Sequence, residues 1–411
     1  MRRSLTTVAV AAALASTLVV AGCSSKDDSG GGGGGATGGS TGGSSALSIQ
    51  PLVQIDNTGK EVAASDASGA ADPAGDGSAK CSDVSLAMAG ALTGGNAALG
   101  LNIYNGAKLA VDEHNKANAD CQVTLKKFDT EGDPQKATQV APTIVSDKTV
   151  LGLLGPAFSG ETKATGGIFK QAGLLSATAS ATNPGLTTNG WSNFFRGLGN
   201  DNSQGAAIAK YMTDTLGYKK VCVVADNQDY SVGLADVVTK TLGSAADKDC
   251  AASVKQGDTD FSATVQIVKS AQADAVYYAG YYQEAAPFVS QLRSSGVTLP
   301  FISDDGTNDP EFVKQAGDAS KDAYLTCPCG PAPSDFATKY QASAGKAPGV
   351  YSVEAYDLVT IMLKAIDSGV TDRADMVKFF AGYDGQGVAK HYKWDSSGEL
   401  ASTTTWVYQV K

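Results

Sequence analysis

The sequence is shortest of histidine: 411 residues contain two, His114 and His391. That excludes a metal centre built on clustered imidazoles and leaves the Cys327-Pro328-Cys329 run without the ligand pattern of a zinc site. Positive charge is also scarce, with 32 Lys and Arg against 42 Asp and Glu and a formal net charge of -10. Nucleic acid is therefore excluded as a partner, since phosphate binding needs clustered basic residues. No apolar run beyond the N-terminus reaches the roughly 20 residues that a membrane-spanning helix requires. The usual catalytic signatures are missing as well. There is no G-x-S-x-G elbow and no Walker A loop, and although residues 343–346 spell S-x-x-K, neither S-D-N nor K-T-G accompanies them. The chain reads as a binder that needs no metal or cofactor, not as an enzyme.

What is present begins with an address. Arg2 and Arg3 precede an apolar Ala/Val/Leu run that ends in Val20-Ala21-Gly22-Cys23. This is the layout of a bacterial lipoprotein signal, with cleavage before Cys23 and a diacylglycerol on its sulfur. Residues 1–22 are thus expected to be removed. Residues 23–80 are expected to form a lipid-anchored tether, because Gly/Ser-rich chain cannot bury enough surface to fold. Residues 47–55 have the apolar content of a strand, but Pro51 and polar flanks argue against one. The folded part is expected outside the cytoplasm, touching the membrane through Cys23 alone.

Seven cysteines less the lipidated one leave an even number on the oxidising side of a membrane. Cys81 and Cys121 stand at the starts of two strands expected to be neighbours, and Cys222 and Cys250 stand in the same relation later, so these pairs are favoured as disulfides. Cys327 and Cys329 either close a tight local bridge or remain thiols.

From residue 83 onward, strand-like apolar runs alternate with segments of helical periodicity, the pattern of an α/β fold with doubly wound, Rossmann-like sheets. Strands are expected at 84–89, 123–128, 150–154 and 174–178, with helices at 104–115, 134–146 and 161–171 between them. A second series of the same design runs from about 204 to 326. The remaining tail, with helices at 333–342, 351–368 and 373–381, is too large for the second lobe alone. The chain is therefore expected to cross back, giving one lobe from 81–202 plus 331–385 and another from 203–330 plus 386–411, joined by several hinge strands.

Residues 151–182 organise the first lobe. They read as a strand, a Gly-Pro turn, an exposed Ser159 and Gly160, a helix, and a second strand running into Ser180, Ala181 and Thr182. The open ends of parallel strands and the amides starting the intervening helix converge on one spot, which suits an anion. With the hydroxyls of Ser159 and Thr182 added, the stretch reads as a socket for a small carboxylate.

The segments GPAFSGET, SATASATNPGLT, FFRGLGNDNSQG, VVADNQDYSVGL, VYYAGYYQEA and FISDDG occur in that order, with FDTEGDPQKA, EAYDLV and WDSSGEL also present. Together they resemble the amino-acid-binding proteins of branched-chain amino acid ABC importers, type I periplasmic binding proteins, over residues 83–406. The resemblance implies that Ser159, Thr182 and the backbone around Ala181 hold a ligand carboxylate, and that the Ser180 carbonyl accepts from its ammonium. It places Tyr230 and Tyr281 against the ligand backbone and Asp305 against the ammonium, where many relatives carry Glu. Leu99, where a tyrosine is common, and Phe158 fall in the side-chain pocket, while Phe195 and Arg196 are structural.

An amino acid is a zwitterion, and donors gather on the first lobe whereas Asp305 follows a strand of the second. Closing the lobes lets one ligand satisfy both. The expected role is therefore that of a monomeric, lipid-anchored subunit that captures a small aliphatic amino acid and passes it to an ABC permease. The same fold reading an amide, a urea or an aromatic acid, as importer subunit or sensor, is the nearer rival. A lipid-anchored hydrolase is the more distant one.

Overall fold

The computed structural model describes residues 47–64 and 68–411. The signal segment, Cys23 and the first part of the tether lie outside the described residues. Among those described, no helix is long and apolar enough to cross a membrane.

The chain opens with β1 (Ile49–Ile55) and then builds a first sheet: β2 (Ser85–Gly90), α1 (Ala97–Ala117), β3 (Thr124–Asp129), α2 (Pro134–Ser146), β4 (Val150–Leu154), α3 (Ser159–Gln171), β5 (Leu175–Thr178) and β6 (Phe194–Arg196). The strands lie in the order β3-β2-β4-β5-β6, every pair parallel. Alternate residues of β2 face opposite layers. Ala87 and Ala89 pack with Ile144 and Phe169 under α2 and α3, while Leu86 and Met88 join the core beneath α1. Asp133 starts α2 by accepting from Gln135 N and Lys136 N, with Pro134 just inside, as its sequence signals.

A second lobe follows: α4 (Asp201–Lys210), β7 (Val221–Ala225), α5 (Asp229–Leu242), β8 (Ala252–Ser253), α6 (Ser262–Ala271), β9 (Ala275–Ala279), α7 (Tyr282–Ser294), β10 (Phe301–Ile302), α8 (Pro310–Ala316) and β11 (Tyr324–Cys327). The chain then returns to the first lobe with α9 (Ser334–Ala344), α10 (Ser352–Asp367), α11 (Arg373–Ala381) and the hairpin β12 (Asp384–Gln386) with β13 (His391–Lys393). It ends in β14 (Thr405–Val410), back in the second sheet, whose order is β1-β14-β11-β10-β9-β7-β8. Trp394 stacks on Phe380 and meets Phe195 edge-on, so the last crossing falls after the hairpin, at about 395–404, not at 386. Three crossings run side by side: a Cβ on Gly199 would lie 3.2 Å from the Cβ atoms of both Pro328 and Thr403.

Two expectations are corrected. Residues 47–80 are not all tether, since β1 pairs antiparallel with β14 from Ile49↔Val410 to Ile55↔Thr405. Pro51 is tolerated because β1 is the edge strand and the register shifts between Pro51 and Val53, so its missing N–H breaks no regular ladder. Farther on, Asn118 fastens the chain to the first lobe, its Oδ1 accepting Ala79 N at 3.1 Å and its Nδ2 donating to Ala74 O at 3.0 Å. The first helix, expected at 104, begins at Ala97. Gly100 and Gly106 dilute its helical pattern, yet both are required by close approach, because a Cβ would stand 1.8 Å from Ala91 O at the first and 2.1 Å from Ser352 O at the second. The disulfides Cys81–Cys121 and Cys222–Cys250 are formed, and Cys327–Cys329 is the tight local bridge.

Gly106 is thus where α10, the main element of the returning tail, is pressed onto α1. Gly106→Ala is expected to destabilise the protein by about 1–3 kcal/mol through overpacking, although alanine is the better helix former. Denaturant unfolding of the variant checks this, and a neutral or stabilising result contradicts the contact.

Candidate functional site

The ends of β4 and β5 lie next to each other, and the turns that follow them are tied together. Phe158 N donates to Glu161 Oε2 at 3.0 Å, closing the first turn of α3. Burial pushes that carboxyl up to about 7. Thr178 Oγ1 accepts Ala181 N at 2.9 Å, Ser180 Oγ donates to Ala157 O at 2.6 Å, and Ser159 Oγ accepts Asn183 N at 3.2 Å. Arg196, fully buried, braces the turn from behind by donating to Ala181 O and to Asn183 O, the latter at 3.1 Å. Its charge is met by Glu399 at 2.9 Å. Arg196 is structural, as expected, and it presets the backbone at 180–183.

Across from this turn stands Asp305, 1% exposed. Its Oδ1 accepts from Tyr230 Oη at 2.6 Å and Gln204 Nε2 at 2.8 Å, and its Oδ2 accepts from Tyr351 Oη at 2.6 Å. Tyr230 belongs to the first turn of α5 and Tyr281 immediately precedes α7, so two helix starts aim aromatic rings at the acid. The two rings are 5.2 Å apart, and Phe158 of the first lobe meets Tyr281 edge-on at 4.9 Å.

These groups line a cavity of only about 10 Å³. Its apolar wall is Leu99, Ile103, Ala157 and Phe158, and its polar wall is Ser180, Tyr230, Tyr281, Tyr351 and Asp305. That is room for about one water molecule, so a ligand enters only when the lobes part. A wider cleft opens outward past Phe158, Tyr230 and Tyr281 towards Asn183, Asp229 and Gln256.

The electrostatics of the cavity have one sign. Asp201, Asp226, Asp304 and Asp305 are all buried around it. Burial holds Asp305 above the ordinary 3.8, opposed by the hydrogen bonds from Tyr230, Tyr351 and Gln204. Burial and the neighbouring Asp305 push Asp304 much higher, and burial with the charge of Asp305 does the same to Asp201. Asp305, held by three side-chain donors, is therefore the member of this group best placed to carry the charge. The nearby Arg196 is already engaged by Glu399, so the site attracts a cation.

Of the residues named from the sequence, Leu99, Phe158, Ser180, Tyr230, Tyr281 and Asp305 line the cavity. Ser159, Ala181 and Thr182 adjoin it without lining it. Ser159 is 1% exposed, contrary to the exposed position expected, because it starts α3 against the neighbouring strand-end turn, whose Asn183 N its Oγ accepts. Thr182 is buried, and its Oγ1 has no hydrogen-bond partner among the described residues. Sequence reasoning missed Tyr351, Gln204, Ile103 and Ala157. Tyr351 sits immediately before α10 at φ 69, a left-handed conformation rare for an aromatic residue, and no local pattern announces that. Gln204 lies within the quoted FFRGLGNDNSQG segment, but its link to Asp305 depends on the chain crossing between lobes.

The profile of the family described as periplasmic binding protein matches residues 83–411. An amino acid binding protein of Pseudomonas aeruginosa is 30% identical over 338 residues, covering 80% of this chain and 90% of its own. Among solved structures, the branched-chain amino acid transporter substrate-binding protein of Streptococcus pneumoniae in complex with isoleucine superposes with a TM-score of 0.73 at 28% identity, covering 80% of this chain and 99% of that one. A leucine-binding protein of Thermotoga maritima gives a TM-score of 0.73 at 27% identity, covering 80% and 97%. The relatives are solute binders, not enzymes. With two doubly wound lobes, a cavity where they meet and a match that spans the folded part, this chain belongs to the periplasmic binding protein family.

Proposed function

We propose that this protein captures a small aliphatic α-amino acid between its lobes and hands it to the permease of an ABC importer. The observation that carries this reading is the buried Asp305, held by three side-chain donors and without an ion-pair partner among the described residues, at one end of a cavity whose other wall is apolar. An α-ammonium meets Asp305, Tyr230 and Tyr281. The carboxylate meets the start of α3 and the turn at Ser180, Ala181 and Thr182, where the first helical N–H groups have no intrahelical partners. The aliphatic side chain lies along Leu99, Ile103 and Phe158. An amide, a urea or an aromatic acid brings no ammonium to Asp305, which disfavours those ligands. In the cell the protein works as a monomer outside the cytoplasm, fixed to the membrane by a lipid on Cys23.

Titration calorimetry with L-leucine, its keto acid and its amine tests the two-charge site. Leucine is expected to bind and both one-charge analogues to bind far more weakly. Equal affinity for all three contradicts the reading. Asp305→Asn keeps the shape but removes the charge, and is expected to weaken leucine binding by about 3 kcal/mol, roughly a hundredfold, with the ligand-free melting temperature retained or raised.

The raised Asp305 fixes the sign of the pH dependence. A carboxyl whose folded pKa exceeds its unfolded value contributes stability at low pH that is lost as pH rises through the folded pKa. The ligand-free protein is therefore expected to lose stability as pH rises from acid towards neutral, with Asp304 and Asp201 acting in the same direction. A bound ammonium favours ionised Asp305 and offsets that loss. The rise in melting temperature on adding leucine should consequently be larger at pH 7 than at pH 4.5. Binding at the lower pH should release protons, read from calorimetry in buffers of different ionisation enthalpy.

A further inference from the structure

Beside the bond from Ala98 N to Tyr282 Oη at 3.3 Å, two sets of bonds cross between the lobes outside the cavity. At the exposed rim, Lys163 Nζ meets Asp229 Oδ1 at 2.6 Å and Asn183 Nδ2 donates to Asp229 O at 2.8 Å. The Lys163 and Asp229 side chains are 64% and 40% exposed, so salt screens this pair and it contributes little. The other set is buried. Asn102 of α1 is 2% exposed, and its Nδ2 donates to Asp309 Oδ2 in the second lobe at 2.8 Å. Asp309 is itself 3% exposed and uses its other oxygen to cap α8, accepting Glu311 N at 2.9 Å. Lys346 Nζ donates to Asn102 Oδ1 at 3.1 Å, which turns the amide so that its NH₂ faces the acid. Burial holds the Asp309 carboxyl above its ordinary value, opposed by the hydrogen bonds from Glu311 N and Asn102 and by the charge of Lys346. Neither Asn102 nor Asp309 lines the cavity.

We propose that the Asn102–Asp309 bond is a latch that sets how often the lobes close, and so scales affinity equally for every ligand while leaving selectivity untouched. The bond exists only with the lobes together, so it favours closure whatever occupies the cavity. Apparent dissociation constants vary inversely with the fraction of protein in the binding-competent closed form, and that fraction is common to all ligands. Asp305 works differently, because it discriminates among headgroups. The latch deepens the reading of the chain as a closing amino acid binder and rests on it.

The test is Asn102→Ala in the lipid-free protein, titrated with L-leucine, L-isoleucine and L-valine. Each dissociation constant is expected to rise by about the same factor, on the order of tenfold for a buried hydrogen bond to a charged group, with their ratios unchanged. X-ray scattering should show a more open ligand-free form and an unchanged saturated form. Altered ratios would assign Asn102 to the side-chain pocket, and unchanged affinities with unchanged scattering would remove the latch. If Asn102→Ala lowers the ligand-free melting temperature, Asp309→Asn decides. It keeps the α8 cap on the remaining oxygen and replaces the oxygen facing Asn102 with an NH₂ that cannot accept, so a uniform loss in the same direction supports the latch and wild-type constants overturn it. Should the unmodified protein bind none of the three amino acids, the ligand reading fails, and the scattering comparison alone still upholds or rejects the latch.

Discussion

A carboxylate sealed from water without a cation is the constraint around which this structure is arranged. Removing such a charge from water costs several kcal/mol unless hydrogen bonds replace its hydration. Here three side chains do so: Tyr230 from α5, Gln204 from α4 and Tyr351 from the start of α10. They come from both lobes, so the acid is fully solvated by protein only when the lobes are together. The lone pairs left over, and the uncompensated charge, remain for a ligand.

The same arrangement explains three of the chain's crossings between the lobes. Tyr351 reaches Asp305 because the tail returns to the first lobe after β11, and α10 is then locked to α1 through the glycine contact at Gly106. Gln204 reaches it because α4 begins directly after the first crossing, with Asn200 accepting from Asn202 N and Ser203 N to start the helix in place. A single hinge strand would leave these donors free to shift relative to the acid. Three crossings packed at Gly199, Pro328 and Thr403 restrict relative motion to rotation about that bundle.

Much of this was legible beforehand because it is written locally. Alternating strand and helix periodicities gave the two-layered lobes, Pro134 after Asp133 gave a helix start, and the strand-end turns at 155–160 and 178–183 gave one wall of the site. What stayed hidden is long-range. Tyr351 becomes a site residue through a left-handed backbone and a partner 46 residues away, and Asn102 through a partner 207 residues away. Ser159 was misjudged for a related reason. A serine after a Gly-Pro turn reads as exposed until the turn at the end of the next strand, whose Asn183 N it accepts, packs against it.

The N-terminal segment shows how an unfavourable local signal can be overruled. β14 runs antiparallel to β11, and without β1 its outer edge would present unpaired N–H and C=O groups, a hazard for association with other chains. Covering that edge requires only backbone pairing, which Pro51 interrupts at one position and the register shift absorbs. The chain then gains anchorage on the first lobe at Ala74 and Ala79 before reaching the Cys81–Cys121 bridge. Because its two fastened ends lie on different lobes, any rotation that opens the cleft must be accommodated by the residues between them. A segment that composition marks as spacer is thereby part of the hinge, and its Gln54 and Ala63 border the same hollow as Gly199, Pro328 and Thr403.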